Sequence, residues 1–174
     1  MNFLYRLFLA FNSTYLIIAV YLVKQEYTFN FLREYNKYYS WGIFMLIPIV
    51  LTAISFLIAR TLPTDSLNKA SVREIELANN NFLPSYLGYF FVSLSVNNNS
   101  TLIVVFVIIY VFTFLSQTLY FNPIFLLFGY QFYFFKTNKN IKIFLITKKL
   151  LKSPGDEDFN NLKRINNYTF IELN

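Results

Sequence analysis

Four long apolar runs, residues 7–23, 41–59, 82–96 and 102–121, contain no Asp, Glu, Lys, Arg or His. An apolar helix of about 20 residues, rising ~1.5 Å per residue, matches the ~30 Å hydrocarbon layer of a bilayer. In a chain of 174 residues, four such runs leave little sequence for a soluble core. Charged residues make up 14% of the chain, against roughly a quarter in soluble domains. The pattern predicts an all-α membrane protein with four transmembrane helices and a small β-rich cytoplasmic C-terminal tail. The spans fall at about 4–23, 41–59, 82–96 and 102–121, so the bundle is residues 1–123 and the tail residues 124–174. The first run closes on no small-residue cleavage site, which favours a signal anchor over a removed signal peptide.

The runs differ in their interruptions. Asn12, Ser13 and Thr14 form a polar notch in the first. Pro48 lies inside the second, where it removes a helix hydrogen bond and predicts a kink. The third is short and holds Pro84 and Gly88, so it spans a thinned bilayer or re-enters. Pro48, Pro84 and Gly88 are therefore hinge candidates. The fourth turns polar at its C-terminal end, where it carries Ser116 and Gln117. Hydroxyls bond back to their own helix cheaply, whereas Gln117 needs another helix or a wet cavity.

The segment 62–81 is polar. Its apolar residues Leu67, Ala70, Ile75 and Leu77 are interleaved with charge, and predict a helix at the membrane surface or a solvated connector. In the tail, residues 130–137 and 141–147 are aromatic and β-branched and flank Asn138, Lys139 and Asn140. That predicts a hairpin, without the Gly that usually accompanies one. Residues 159–165 read as a short helix and 168–173 as a third strand.

Charge gives orientation. Four spans put both termini on one side, together with twelve of the fifteen cations; only Lys24, Arg33 and Lys37 fall on the other. The positive-inside rule then places both termini and the tail in the cytoplasm.

Catalytic chemistry finds little to work with. Neither Cys nor His is present, which removes thiolate nucleophiles, imidazole acid–base groups and N/S metal sites. Carboxylates occur only in loops and tail, and no phosphate-cradling Gly-rich loop or hydrolase motif is found. The expectation is a non-enzyme with no cofactor and no metal. Asn12, Ser116 and Gln117 are candidates for interhelical hydrogen bonds or for a pore lining. Lys148, Lys149, Lys152, Lys163 and Arg164 are candidates for contact with lipid or a protein partner.

The overall plan resembles the KwaA family, the membrane subunit of the Kiwa antiphage defence system. The likeness rests on several segments. One is the polar connector before a short span, Asn79-Asn80-Asn81-Phe82-Leu83-Pro84-Ser85-Tyr86-Leu87-Gly88. Another is the exit Asn122-Pro123-Ile124-Phe125-Leu126-Leu127-Phe128-Gly129-Tyr130. The last is a strand-rich tail ending in Leu162-Lys163-Arg164-Ile165 and Tyr168-Thr169-Phe170-Ile171-Glu172. The resemblance covers nearly the whole chain. It implies a homo-oligomer, a tetramer, in the bacterial inner membrane, which senses infection and signals to a cytoplasmic partner, KwaB, that acts on phage DNA. Direct nucleic-acid contact by this chain is not expected. The competing expectation is a small channel-forming or membrane-disrupting effector.

Overall fold

Helix α1 (Asn2–Lys24) is the element that most others of the helical region touch. A computed structural model describes residues 2–32, 34–67, 71–116, 122–154 and 159–173. After α1 come a short 3-10 turn (Asn30–Leu32), α2 (Lys37–Ala59), strands β1 (Thr64–Leu67) and β2 (Val72–Leu77), α3 (Leu83–Ser95) and α4 (Asn99–Leu115). The one-turn helix α5 (Ile124–Leu127) leads into β3 (Gln131–Thr137), β4 (Lys142–Thr147), β5 (Phe159–Arg164) and β6 (Thr169–Glu172). The chain divides into two units. One holds residues 7–53 and 82–122; the other holds 1–6, 54–81 and 123–174.

The helical unit is built around α1. Tyr15 and Ala19 pack with Phe44 of α2, while Ile17 and Tyr21 pack with Val96 and with Leu102 of α4. Hydrogen bonds fix the order along α1. The Tyr86 hydroxyl donates to the Ser13 carbonyl (3.0 Å), Ser93 to the Ile17 carbonyl (3.0 Å), and Lys24 to the Val96 carbonyl (2.6 Å). α3 therefore runs parallel to α1. α4 runs antiparallel, with Tyr21 on Asn99 (2.8 Å) and Tyr110 on the Leu7 carbonyl (3.3 Å). Asn98 starts α4 as a side-chain cap, accepting from the Thr101 amide at 2.8 Å. The outer faces are apolar and exposed: Leu46 and Val50 on α2, Leu87, Phe90 and Phe91 on α3, Ile103, Val104 and Phe112 on α4. The buried positions include Asn12, Ser13, Thr14, Thr52, Ser93, Thr113 and Asn122. Polarity is thus inverted relative to a water-soluble bundle.

The second unit is a six-stranded sheet in the order β1-β5-β6-β4-β3-β2, antiparallel except for the β4–β6 pair. Its centre is buried on both faces, so β3 and β4 read as nearly continuous apolar runs. Tyr133, Phe135, Leu145 and Phe170 share one core with Val72, Phe159 and Leu162. On the other face Phe132 stacks on Phe144 (5.7 Å between centroids) and meets Phe125 of α5 at 6.1 Å. Phe56, in the last turns of α2, stacks on Tyr130 at 4.6 Å and meets Phe125 edge-on at 4.9 Å.

Two turns organise this unit. The β3–β4 loop is the four residues Asn138, Lys139, Asn140 and Ile141, and Asn140 takes φ +58°. Asn tolerates the left-handed region better than other side-chain-bearing residues, so the hairpin closes without Gly. Gly129 takes φ +79° after α5, with its amide on the Leu126 carbonyl and the Tyr130 amide on the Phe125 carbonyl. This is the helix-ending motif that needs a residue free of a Cβ penalty.

The expectation of an all-α, four-span membrane protein is overturned. Among the described residues there are five α-helices and a six-stranded mixed sheet. Only α1 and α2, among the described residues, are long and apolar enough to cross a bilayer. α3 has 13 residues and α4 has 17, which give about 20 and 25 Å against the ~30 Å hydrocarbon layer. The segment 62–81 is not a surface helix but supplies β1 and β2, the two edges of the sheet, and residues 159–164 form β5 rather than a helix.

The sheet core sets a measurable asymmetry. Phe135 is 0% exposed, and Phe135→Ala is expected to cost about 3–5 kcal/mol. Glu76 and Lys142 form an exposed pair at 3.6 Å, and Glu76→Gln is expected to change stability by less than ~0.5 kcal/mol. Pulse proteolysis of the full-length protein across a urea series reads both.

Candidate functional site

Thr52 is the hub of the buried polar groups in the helical unit. A hydroxyl has one proton and two lone pairs. The Thr52 hydroxyl donates to the Pro48 carbonyl at 2.8 Å and accepts from the side-chain amides of Asn12 (2.9 Å) and Asn122 (3.1 Å). All three polar residues are buried. The arrangement links α1, α2 and the segment after α4 through one oxygen. The Asn12 carbonyl oxygen has no hydrogen-bond partner among the described residues. The neighbouring hydroxyls of Ser13 and Thr14 bond back to the Ala10 carbonyl at 3.0 and 2.9 Å.

The other sequence candidates of this unit lie apart from that hub. Ser116 ends α4, is exposed, and donates to the Thr113 carbonyl at 3.1 Å. Gln117 lies outside the described residues. Pro48 is buried inside α2, where its carbonyl serves Thr52. Pro84 stands in the first turn of α3, where its missing N–H interrupts no helix bond. Gly88 sits on an exposed face of α3, and a Cβ there would meet nothing within 4 Å.

The basic candidates belong to the sheet unit and are not equivalent. Lys149 reaches the carboxylate of Glu172 at 3.0 Å and sits 5.1 Å from the Phe159 ring. Glu172 is buried and accepts from the Thr147 hydroxyl at 2.5 Å. Lys149 is therefore a structural cation. Lys148, next to it, is exposed and lies 5.1 Å from the centroid of Tyr130. Lys152 is exposed. Lys163 donates to the Thr64 hydroxyl at 2.8 Å and Arg164 to the Asn167 side chain at 2.8 Å, so both are engaged near the β1–β5 edge. Sequence reasoning missed Thr52, Asn122, Glu172 and Tyr130. The signal for Thr52 was available: a hydroxyl one turn after an intrahelical proline. Glu172 carried none, because a carboxylate near the end of a polar tail reads as solvated.

No group of three or more Asp or Glu among the described residues is placed to hold a metal ion. A family model described as anti-phage protein KwaA matches residues 5–171, and the chain belongs to that family. It is an anti-phage defence protein. No curated protein matches, and no solved structure does.

The hub is testable by removing its oxygen. Thr52→Val leaves two buried amides short of a partner and is expected to cost about 1–3 kcal/mol, whereas Thr52→Ser is expected to stay near wild type. Unfolding of the purified full-length protein by graded addition of a denaturing detergent measures the difference.

Proposed function

We propose that this member of the anti-phage KwaA family is a multi-pass protein of the bacterial inner membrane that senses infection at the envelope and docks or activates a cytoplasmic, DNA-acting partner. The observation that carries this reading is the inverted polarity of the helical unit. Exposed Leu, Val, Ile and Phe cover its outside, while the buried Asn, Ser and Thr bond to one another or to helix carbonyls. Such a surface in water would be a large aggregation liability, and in lipid it costs nothing. In this reading α1 and α2 cross the bilayer as an antiparallel pair, and the α3–α4 hairpin packs on α1 within the apolar layer without needing to reach both surfaces.

The charge pattern supports the orientation. Arg60 follows α2 directly, and Lys24, Arg33 and Lys37 are the cations of the α1–α2 connection. With the sheet unit carrying most of the remaining cations, the inside-positive bias favours a cytoplasmic sheet and cytoplasmic termini. A folded, charged sheet gives a soluble partner of the KwaB type a surface to dock on. Homo-oligomerisation, a tetramer by family likeness, would cover part of the exposed apolar faces. A pore-forming effector is the weaker reading, because the hydroxyls of Ser13, Thr14 and Thr52 and the amide of Asn12 are engaged in hydrogen bonds within one chain.

Two experiments test the proposal. Alkaline carbonate washing of membranes from expressing cells is expected to leave the protein in the pellet, and its release would refute the membrane assignment. Affinity purification from phage-protected cells is expected to retain a soluble partner encoded beside it. Full protection by this chain expressed alone would sink the docking role, and conductance in reconstituted vesicles would revive the channel.

A further inference from the structure

The end of α2 gathers a set of groups that the defence role does not require. Phe56 stacks on Tyr130 at 4.6 Å, and Arg60 follows one helical turn later, exposed. Lys148 approaches the same Tyr130 ring from the loop after β4, at 5.1 Å. The Arg60 charge is felt at the Tyr130 phenol: burial pushes its pKa above the ordinary value, Arg60 pulls it partly back, and Glu172 adds a smaller upward push. Two exposed cations thus flank one buried ring. The nearby carboxylate, Glu172, is buried and already paired with Lys149 and Thr147. Around these cations three leucines stand exposed. Leu57 is in the last turn of α2, Leu127 is in α5 (73% exposed) and Leu150 follows Lys148 by two residues (75% exposed).

Cations beside outward-facing leucines, where a candidate span ends, suit one environment: the boundary between acyl chains and phosphate headgroups. We propose that Arg60, one turn after Phe56, and Lys148, over the Tyr130 ring on which Phe56 stacks, form a binding site for the phosphates of anionic lipid headgroups, with Leu57, Leu127 and Leu150 seated in the boundary beneath them. This inference rests on the membrane reading and deepens it. The occupant is a lipid, because a bilayer offers phosphates to the cations and acyl chains to the leucines at one boundary, where a candidate span ends, and a nucleic acid would leave those leucines in water. The cytoplasmic leaflet is the anionic one, as the charge bias of the chain requires.

The β3–β4 hairpin supplies an internal control. Lys139 is exposed at its tip, and Lys148 follows the other end of β4. The separation along the strand is about 20 Å or more, beyond the ~8 Å screening length at physiological salt. The full-length protein is reconstituted into phosphatidylcholine vesicles with or without phosphatidylglycerol, and amine acylation of each lysine is followed by mass spectrometry. Acylation of Lys148 is expected to slow about fivefold with the anionic lipid, the factor that corresponds to ~1 kcal/mol for one cation at such a surface, while Lys139 is unchanged. Arg60→Gln is expected to relieve much of the protection. Equal Lys148 labelling in both vesicles, in protein that has inserted, would overturn the lipid site and leave the membrane reading standing. Failure to float with vesicles of either composition would overturn both. Protection of Lys148 by an added oligonucleotide, with none from phosphatidylglycerol, would assign the cations to nucleic acid instead.

Discussion

Buried polar atoms enclosed by an apolar exterior must find their partners among themselves, and the helical unit is organised around that requirement. Thr52 meets it for three segments at once, giving its proton to Pro48 and its lone pairs to Asn12 and Asn122. Pairs of buried residues can be replaced by well-packed apolar ones at little cost. A hub cannot be, since removing its oxygen takes a partner from two amides at once. The same logic explains why α1 is buried on several sides although its sequence is no more apolar than that of α2. Its polar notch and its tyrosines are the groups that need neighbours, and α2, α3 and α4 each supply one.

The sheet obeys a different rule. Its central strands are specified by local sequence: β3 and β4 are adjacent, rich in aromatic and β-branched residues, and joined by a turn in which Asn140 takes the position Gly usually fills. Its edges come from far away. β1 pairs with β5 and β2 with β3, so the segment between α2 and α3 closes both sides of a sheet whose centre lies in the tail. That segment also explains how a tail of about fifty residues, too short to bury much surface alone, becomes part of a larger core.

Much of this was legible. The apolar runs marked α1 and α2, the aromatic stretches marked β3 and β4, and residues 168–173 marked β6. Two strands were not legible, and for one physical reason. In β2 the register shifts between Val72 and Glu74, where two residues face a one-residue step in β3. In β5 the three-residue step from Phe159 to Leu162 faces a two-residue step in β1. Each bulge reverses the alternation of faces, so Val72 and Ile75, like Phe159 and Leu162, reach one core although they are three residues apart. A spacing of three is the mark of a helix in sequence; residues 62–81 read as a surface helix or a solvated connector, and 159–165 as a short helix. The runs 82–96 and 102–121 erred in the other direction: absence of charge marks an apolar environment, but the length of the helix decides whether it can span. Among the site residues, Asn12 was visible as a polar break and Thr52 carried a local signal one turn after Pro48, while Glu172 acquired importance only from a partner 25 residues away.

The order of strands also dictates the order of synthesis. Thr64 of β1 lies 99 residues ahead of Lys163, its partner in β5. A ribosome adding about 5–20 residues per second needs roughly 5–20 s to cover that distance. During that interval β1 has no strand to pair with, and β2 waits until β3 is made, while the apolar helices α3 and α4 emerge between the two ends of the sheet. The outer strands are the oldest and the central ones the newest. The sheet therefore completes only after α1 to α5 and residue 172 have been made, so its six strands never exist together on a shorter nascent chain.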